Sequence, residues 1–282
     1  MIYYNKWEMR SEMKNLVDIM LACGAGSAAG VKYECCEIVN PKLVNQIQFT
    51  PKSVCIGTIP YYTHFCDNDK SVSAYALAYD YHLYIKSLGE RIVAKAKEEF
   101  PDNNFICFGD HSPINEKIAA AKAGLGIIGD HSLLITPQHS SFVFLFEIIS
   151  DLECDTDPLE VRYCEKCGKC KMACPADITN KATCVSAITQ KKGELTESDI
   201  ALISSSGCAW GCDICQQVCP HTISAKAAGT IYTNEPWFNS HVLENPTSES
   251  LDDTSDFKSR AYSWRGKATI LRNLDIINSE KR

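Results

Sequence analysis

No stretch of this 282-residue chain is apolar for long enough to cross a bilayer. The longest such run, Phe142 to Ile149, is interrupted by Glu147 and falls well short of the roughly 20 residues that a spanning helix needs. Met1 to Arg10 is mixed and polar, with no basic start leading into an apolar segment, so no secretory leader is expected and the reducing cytoplasm is the predicted compartment. Cations are not in excess either. Lys and Arg number 28 against 35 Asp and Glu, a net charge of -7, which argues against a surface that grips nucleic acid unselectively through phosphate. No internal repeat is visible beyond two runs of cysteine.

Cysteine is what the chain has in quantity, with 16 residues. One run is Cys164-x2-Cys167-x2-Cys170-x3-Cys174-Pro175, the other Cys208-x3-Cys212-x2-Cys215-x3-Cys219-Pro220. Two-residue gaps let one tight loop aim three thiolates at three irons of a cubane, while the fourth cysteine points toward a second cluster. The spacing therefore predicts two 4Fe-4S clusters and electron-transfer chemistry. Zinc is the competing reading; it also takes paired C-x2-C thiolates, but its closed tetrahedron has no use for a third cysteine in the same short loop. Pro175 and Pro220 lack an N–H, so the chain is expected to turn away after each run. Cys208 sits one residue too early for a regular run, and Ala209 occupies the regular place.

Hydrophobic residues at 45% supply apolar material for one or two real cores. Periodicity predicts an amphipathic helix over 7–22, a buried strand over 53–61, a long helix over 71–100, a second strand over 104–108 and a short helix over 114–123. Segments 132–135 and 141–149 read as strands paired with each other. Strands alternating with helices imply an α/β layer for 1–150, a ferredoxin-like cluster domain for 151–225, and a loop-rich connection with a final helix for 226–282, a fold that is α+β as a whole. Acidic residues crowd Leu243 to Asp256, whereas Phe257 to Arg282 carries Lys258, Arg260, Arg265, Lys267, Arg272, Lys281 and Arg282 against two acids. Such a tail is either a solvated face or a phosphate contact.

Gly124-Leu-Gly126-Ile-Ile-Gly129 fits the dinucleotide pattern, which requires a strand before it and a helix after it. Here a helix enters and a strand leaves, so Gly124 is read as a helix C-cap. Asp110, after the apolar strand, reads on residue chemistry alone as a cap for the helix near Pro113. Tyr81 and His82 read as core packing, and Cys23, Cys35, Cys36, Cys55, Cys66, Cys107 and Cys154 as buried free thiols.

The stretch Phe108-Gly-Asp110-His-Ser-Pro113-Ile-Asn-Glu116-Lys, continuing through AKAGLGIIGDHSLLI and FVFLFEIISDL to YCEKCGKCKMACP, resembles the epoxyqueuosine reductases. These are cobalamin-dependent iron-sulfur enzymes that complete queuosine in tRNA and are related to reductive dehalogenases. Pro51-Lys-Ser-Val, Asp80-Tyr-His82, Thr183-Cys184-Val-Ser186 and Gly211-Cys-Asp213-Ile-Cys-Gln-Gln-Val-Cys219-Pro carry the same resemblance. It covers about residues 50–222, with a looser echo at 260–274, and corresponds to a short form ending before the family's helical repeats.

The resemblance implies that one cluster takes Cys164, Cys167, Cys170 and Cys219 and the other Cys174, Cys184, Cys212 and Cys215, leaving Cys208 a spare thiol. It also implies Asp110 as proton donor, with a raised pKa in a buried setting, and a cobalamin contacted by Asp110, Ser186, Gly211 and Asp213. A low-potential donor of ferredoxin or flavodoxin type, tRNA as a partner and no membrane follow from the same likeness. Several positions depart from the family: Ala74 and Ala78 flank the Asp80 stretch, Asp130-His131 stands where a cation is usual, His111 and Ser112 replace the usual neighbours of Asp110, and the aromatic, methionine-bearing N-terminal motif is not evident. The acidic charge predicts weak, salt-sensitive tRNA binding and a pocket suited to a small molecule or one flipped nucleoside. The leading expectation is a reductase of this kind; the alternatives are a ferredoxin-like electron carrier without corrinoid and a reductive dehalogenase-like enzyme.

Overall fold

A computed structural model describes residues 11–279. Residues 7–10 of the expected first helix, and Lys281 and Arg282 of the basic tail, lie outside the described residues. Two compact units divide the chain: residues up to Pro60 join His82–Lys166, and Tyr61–Tyr81 joins everything from Cys167 onward. The consecutive divisions read from sequence, at 150 and 225, fall elsewhere, because a hydrogen-bonded excursion at Tyr61–Tyr81 packs with the C-terminal half.

The first unit is built on a four-stranded sheet of β1 (Ser27–Lys32), β2 (Ser53–Pro60), β3 (Phe105–Phe108) and β6 (Val143–Ser150), in the order β1-β2-β6-β3. Every neighbouring pair is antiparallel, so the expected α/β layer is corrected to an antiparallel α+β one. A separate ribbon pairs β4 (Ile127–Ile128) with β5 (Leu134–Ile135). The expected pairing of 132–135 with 141–149 is therefore wrong. Apart from Glu147, the run Phe142 to Ile149 is apolar on both faces, and its place is the sheet interior, bonded to β2 on one edge and β3 on the other.

Alternation along the strands sorts the faces. Cys55, Gly57, Phe146 and Ile148 face α1 (Ser11–Cys23) and α3 (Tyr81–Glu99), where a Cβ on Gly57 would meet the Phe146 ring at 2.4 Å and Met20 at 2.9 Å. Val54, Ile56 and Ile149 pack on the other face with Ala119, Ala120 and Ala121 of α4 (Glu116–Lys122). The small residues let α4 lie close to the sheet. α4 begins at an N-cap, Asn115, whose side chain accepts from Ile118 N, and runs into Gly124 at φ +86°. Asp110 is therefore not the cap. A short α2 (Pro41–Val44) edges this layer.

The helix expected from residue 71 begins only at Tyr81. Upstream, the backbone groups are engaged elsewhere in the second unit: Ser73 N donates to Trp210 O at 2.8 Å, Ala74 N to Asp213 at 2.6 Å and Asp80 N to Ser259 O at 2.7 Å. The second unit otherwise consists of helices: α5 (Lys169–Ala173), α6 (Val185–Ile188), α7 (Glu197–Ser206), α8 (Ile214–Gln217), α9 (Pro220–Ala227), α10 (Pro236–Asn239), α11 (Thr254–Lys258) and α12 (Lys267–Ser279). Pro220 opens α9 at its first turn, where a missing N–H costs nothing, instead of turning the chain away. On α12 the buried Asn273 donates its amide to Thr189 O at 2.7 Å and Ala209 O at 2.8 Å, pinning the helix to two loops. No helix among the described residues is long and apolar enough to cross a membrane.

Phe146 is fully buried against Gly57 and Gly109. Phe146→Ala is expected to destabilise the protein by about 3–5 kcal/mol, read from urea unfolding, because the glycines around it have no side chains to refill the cavity.

Candidate functional site

Four of the predicted ligands lie in the second unit, although among the described residues no group of three or more His, Cys, Asp or Glu is set to hold a metal ion. Burial pushes the Cys215 thiol up to about 12, and the thiolates of Cys212, Cys184 and Cys174 around it push the same way. Cys184 is the C-cap of a 3-10 turn and Cys174 that of α5, so helix ends aim both sulfurs. Of the other predicted set, Cys170 and Cys219 are buried and Cys167 is exposed in this unit. Cys164 belongs to the first unit, where its Sγ accepts from Asp130 N at 3.2 Å. Cys208 is held by a hydrogen bond with Cys212, which lowers the pKa of Cys208 and raises that of Cys212.

Ser186 and Gly211 are linked through Thr189. Its Oγ1 donates to Ser186 O at 3.0 Å and accepts from Gly211 N at 3.0 Å. Gly211, at φ +73°, leaves no room for a side chain beside Ser73. Asp213 behaves differently from expectation. Its buried carboxyl accepts from the Ser73 hydroxyl and from Ala74 N, so it holds residues 73–74.

Asp110 sits at the end of β3 with φ +61°, and His111 N donates back to Gly109 O at 2.7 Å. That closes a γ-turn around a residue in a left-handed conformation, the kind of local strain that gathers at functional sites. The Asp110 side chain is 59% exposed and lies 3.1 Å from His82 Nε2. The buried setting expected for its carboxyl is thus not what is found, because the γ-turn swings it outward, and His82 is not core packing.

A buried and a half-buried acid lie just behind this turn, and sequence reasoning passed over them. Glu147, at 0% exposure, stands on β6 between Ile56 and Phe108 and accepts a hydrogen bond from the Ser112 hydroxyl. Glu116, at the start of α4, accepts from Asp110 N at 3.1 Å. The two carboxyls act on each other electrostatically, and the second Glu147 oxygen is buried with no hydrogen-bond partner. Burial pushes Glu147 up to about 7, and burial plus the Glu147 charge holds Glu116 well above the carboxylate range. The one signal in sequence was a lone glutamate inside an otherwise apolar run.

The basic tail is largely spent on structure. Arg260 is buried, bonded to Asp256 and to the Leu77 and His241 carbonyls. Arg272 donates to Gly193 O and Lys191 O, and Lys267 pairs with Asp252.

No protein-family model matches the chain. Curated relatives do. It is 31% identical over 242 residues to the epoxyqueuosine reductase of Cellulophaga algicola, covering 80% of this chain and 77% of that protein. It is 36% identical to that of Cyclobacterium marinum, over 76% and 70% of the two lengths. The chain belongs to the epoxyqueuosine reductase family. The family is one of oxidoreductases of queuosine biosynthesis, and this chain is accordingly a reductase of that kind. Solved epoxyqueuosine reductases share its fold, a mixed α+β arrangement with a small antiparallel sheet. One aligns at a TM-score of 0.75 with 19% identity, covering 94% of this chain and 80% of that one. Another, at 0.75 and 20% over the same shares, holds an epoxyqueuosine-modified tRNA-Tyr stem loop.

Asp213→Ala would leave the Ser73 hydroxyl and Ala74 N–H without their acceptor. A loss of roughly 2–4 kcal/mol in chemical unfolding is expected, since each orphaned buried donor costs about 1–3 kcal/mol.

Proposed function

We propose that this epoxyqueuosine reductase family member passes electrons through two 4Fe-4S clusters to a corrinoid and reduces epoxyqueuosine in tRNA, with Asp110 as the proton donor. The observation that carries the reading is the neighbourhood of Cys215, on whose thiol Cys212 of the same loop and Cys174 and Cys184 of two other segments all act. Four such soft donors suit an iron-sulfur cluster and are a poor arrangement for disulfides in a reducing compartment. Cys164, Cys167, Cys170 and Cys219 would hold the second cluster, and 151–225 would be the ferredoxin-like portion. Ser186 and Gly211 would meet the corrinoid, with Asp213 supporting them from behind.

When bound and reduced, the corrinoid cobalt supplies low-potential electrons to the substrate's electrophilic carbon. The chain's own residues manage the proton. Asp110 is exposed to an incoming nucleoside, and His82 at 3.1 Å orients its carboxyl and can return a proton to it after each turnover. The substrate would be a single nucleoside presented out of its loop, read by the pocket and not by a broad cationic face. With Arg260, Lys267 and Arg272 of the tail paired internally, few cations are left for phosphate, so tRNA binding through this tail should be weak and lost as salt rises. A ferredoxin or flavodoxin would be the electron source, and the cytoplasm the compartment.

Anaerobically reconstituted protein should hold about eight irons per chain and show the visible bands of cobalamin, which clusters lack. Cys184→Ala is expected to lose about half of the iron while Cys208→Ala keeps nearly all of it; equal loss in both would overturn the ligand assignment. Asp110→Asn should keep iron and cobalamin yet lower kcat by roughly 100-fold or more, because an amide donates no proton at useful acidity. Unchanged turnover would remove Asp110 from the reaction.

A further inference from the structure

We propose that Glu116 and Glu147 share one retained proton at neutral pH and that this carboxyl–carboxylate pair positions the Asp110 turn. The inference rests on the reading of Asp110 as the acid, and it concerns a different group: neither glutamate touches substrate, and both act through the turn.

The geometry starts from β6. Glu147 points from the central strand into the α4 side of the sheet, where the surrounding core is Ile56, Phe108, Ile114 and Ile149. One oxygen accepts from the Ser112 hydroxyl, and the other is buried with no N–H or neutral hydroxyl to accept from. Its neighbour is the Glu116 carboxyl. Two ionised carboxylates in contact inside a core repel, and neither could offer the other a hydrogen bond. One shared proton removes both problems, making one acid a donor and the other its acceptor.

The pair then reaches the turn from two sides. Glu116 takes the Asp110 N–H, fixing the residue whose φ is +61°. Glu147 takes the Ser112 hydroxyl, whose oxygen accepts from Ile114 N at 3.1 Å. Asp110 to Ile114 is thus anchored at both ends by one proton-sharing unit. The groups facing it are the Cys107 thiol of β3, the Cys36 thiol and the Asp110 carboxyl. Burial pushes both thiols up to about 12, so they stay neutral while the pair titrates.

The sign of the pH dependence follows. Both carboxyls are raised above their ordinary values, so the folded state binds more protons than the unfolded chain between the carboxylate range and neutrality. Stability is highest below that window and falls as pH rises through it. Losing the shared proton also sets two like charges behind the turn and loosens Asp110.

Glu147→Gln and Glu116→Gln replace the shared proton with a fixed amide N–H while keeping an oxygen for Ser112 or Asp110 N. Three measurements test this. At about pH 8, where ordinary carboxyls are ionised, the infrared carbonyl band of a protonated carboxyl should be present in the wild type and lost in each variant. The melting temperature of Glu147→Gln minus that of the wild type should widen between about pH 5 and pH 8, with a relative shift in the folding equilibrium on the order of a hundredfold. The pH at which kcat falls on the alkaline side should move upward in Glu147→Gln, with KM little changed. Absence of the wild-type band, or melting curves that run parallel across that range, would overturn the proposal. If Glu147→Gln does not fold, the wild-type band and its loss or retention in Glu116→Gln decide between the two outcomes. Full turnover in Asp110→Asn would instead fault the assignment of the acid and leave the band and melting results standing.

Discussion

A charged carboxyl in the middle of a sheet is the constraint on which the first unit turns. β6 is hydrogen-bonded on both edges and covered on both faces, so Glu147 has no route to water. An isolated buried carboxylate is prohibitively costly, and the group must keep a proton or gather donors. Here the neighbours that answer this demand, Ser112 and Glu116, lie at two points of the segment that carries Asp110. The strand, the first turn of α4 and the strained turn between them are therefore one mechanical object. The left-handed Asp110 turn gains its support from a polar group that the core cannot tolerate alone.

The second unit solves a related problem with fewer charges. Its helices are short, several only a turn or so, and isolated helices of that length do not persist. What fixes them is a set of buried polar ties: Asn273 to two carbonyls, Asp213 to residues 73 and 74, and Thr189 between Ser186 and Gly211. These ties also converge on the loops that carry Cys184, Cys212 and Cys215. The proposed ligands come from three segments, and such a cluster site would need these loops to be held before any metal arrives. Arg260 and Arg272 belong to the same framework, which is why cations that look available for phosphate in the sequence are consumed by carbonyls and carboxylates.

Local signals in the sequence carried much of this. β2 and β3 were legible as short apolar runs, and the glycine motif as a decoy because a helix precedes it. Non-local facts were not. The partners of β6 depend on which edges are free in the folded sheet, and nothing in 132–149 encodes them. Residues 71–80 have helical spacing at Leu77 and Tyr81, yet their backbone groups are claimed by Trp210, Asp213 and Ser259, far away in the chain. Asp110 was expected to be buried because an apolar strand precedes it; a γ-turn rotates it outward. Glu147 was visible only as an interruption, and its meaning required knowing that Glu116 and Ser112 arrive beside it.

Joint action of iron-sulfur clusters and a corrinoid on epoxyqueuosine is tested most directly by mass spectrometry of nucleosides released from epoxyqueuosine-containing tRNA after incubation with the anaerobically reconstituted protein and a low-potential reductant. Conversion to queuosine is expected only when both iron and cobalamin are loaded, with a yield that declines as salt is raised. Conversion that persists without cobalamin, or none in protein fully loaded with both, would contradict joint action.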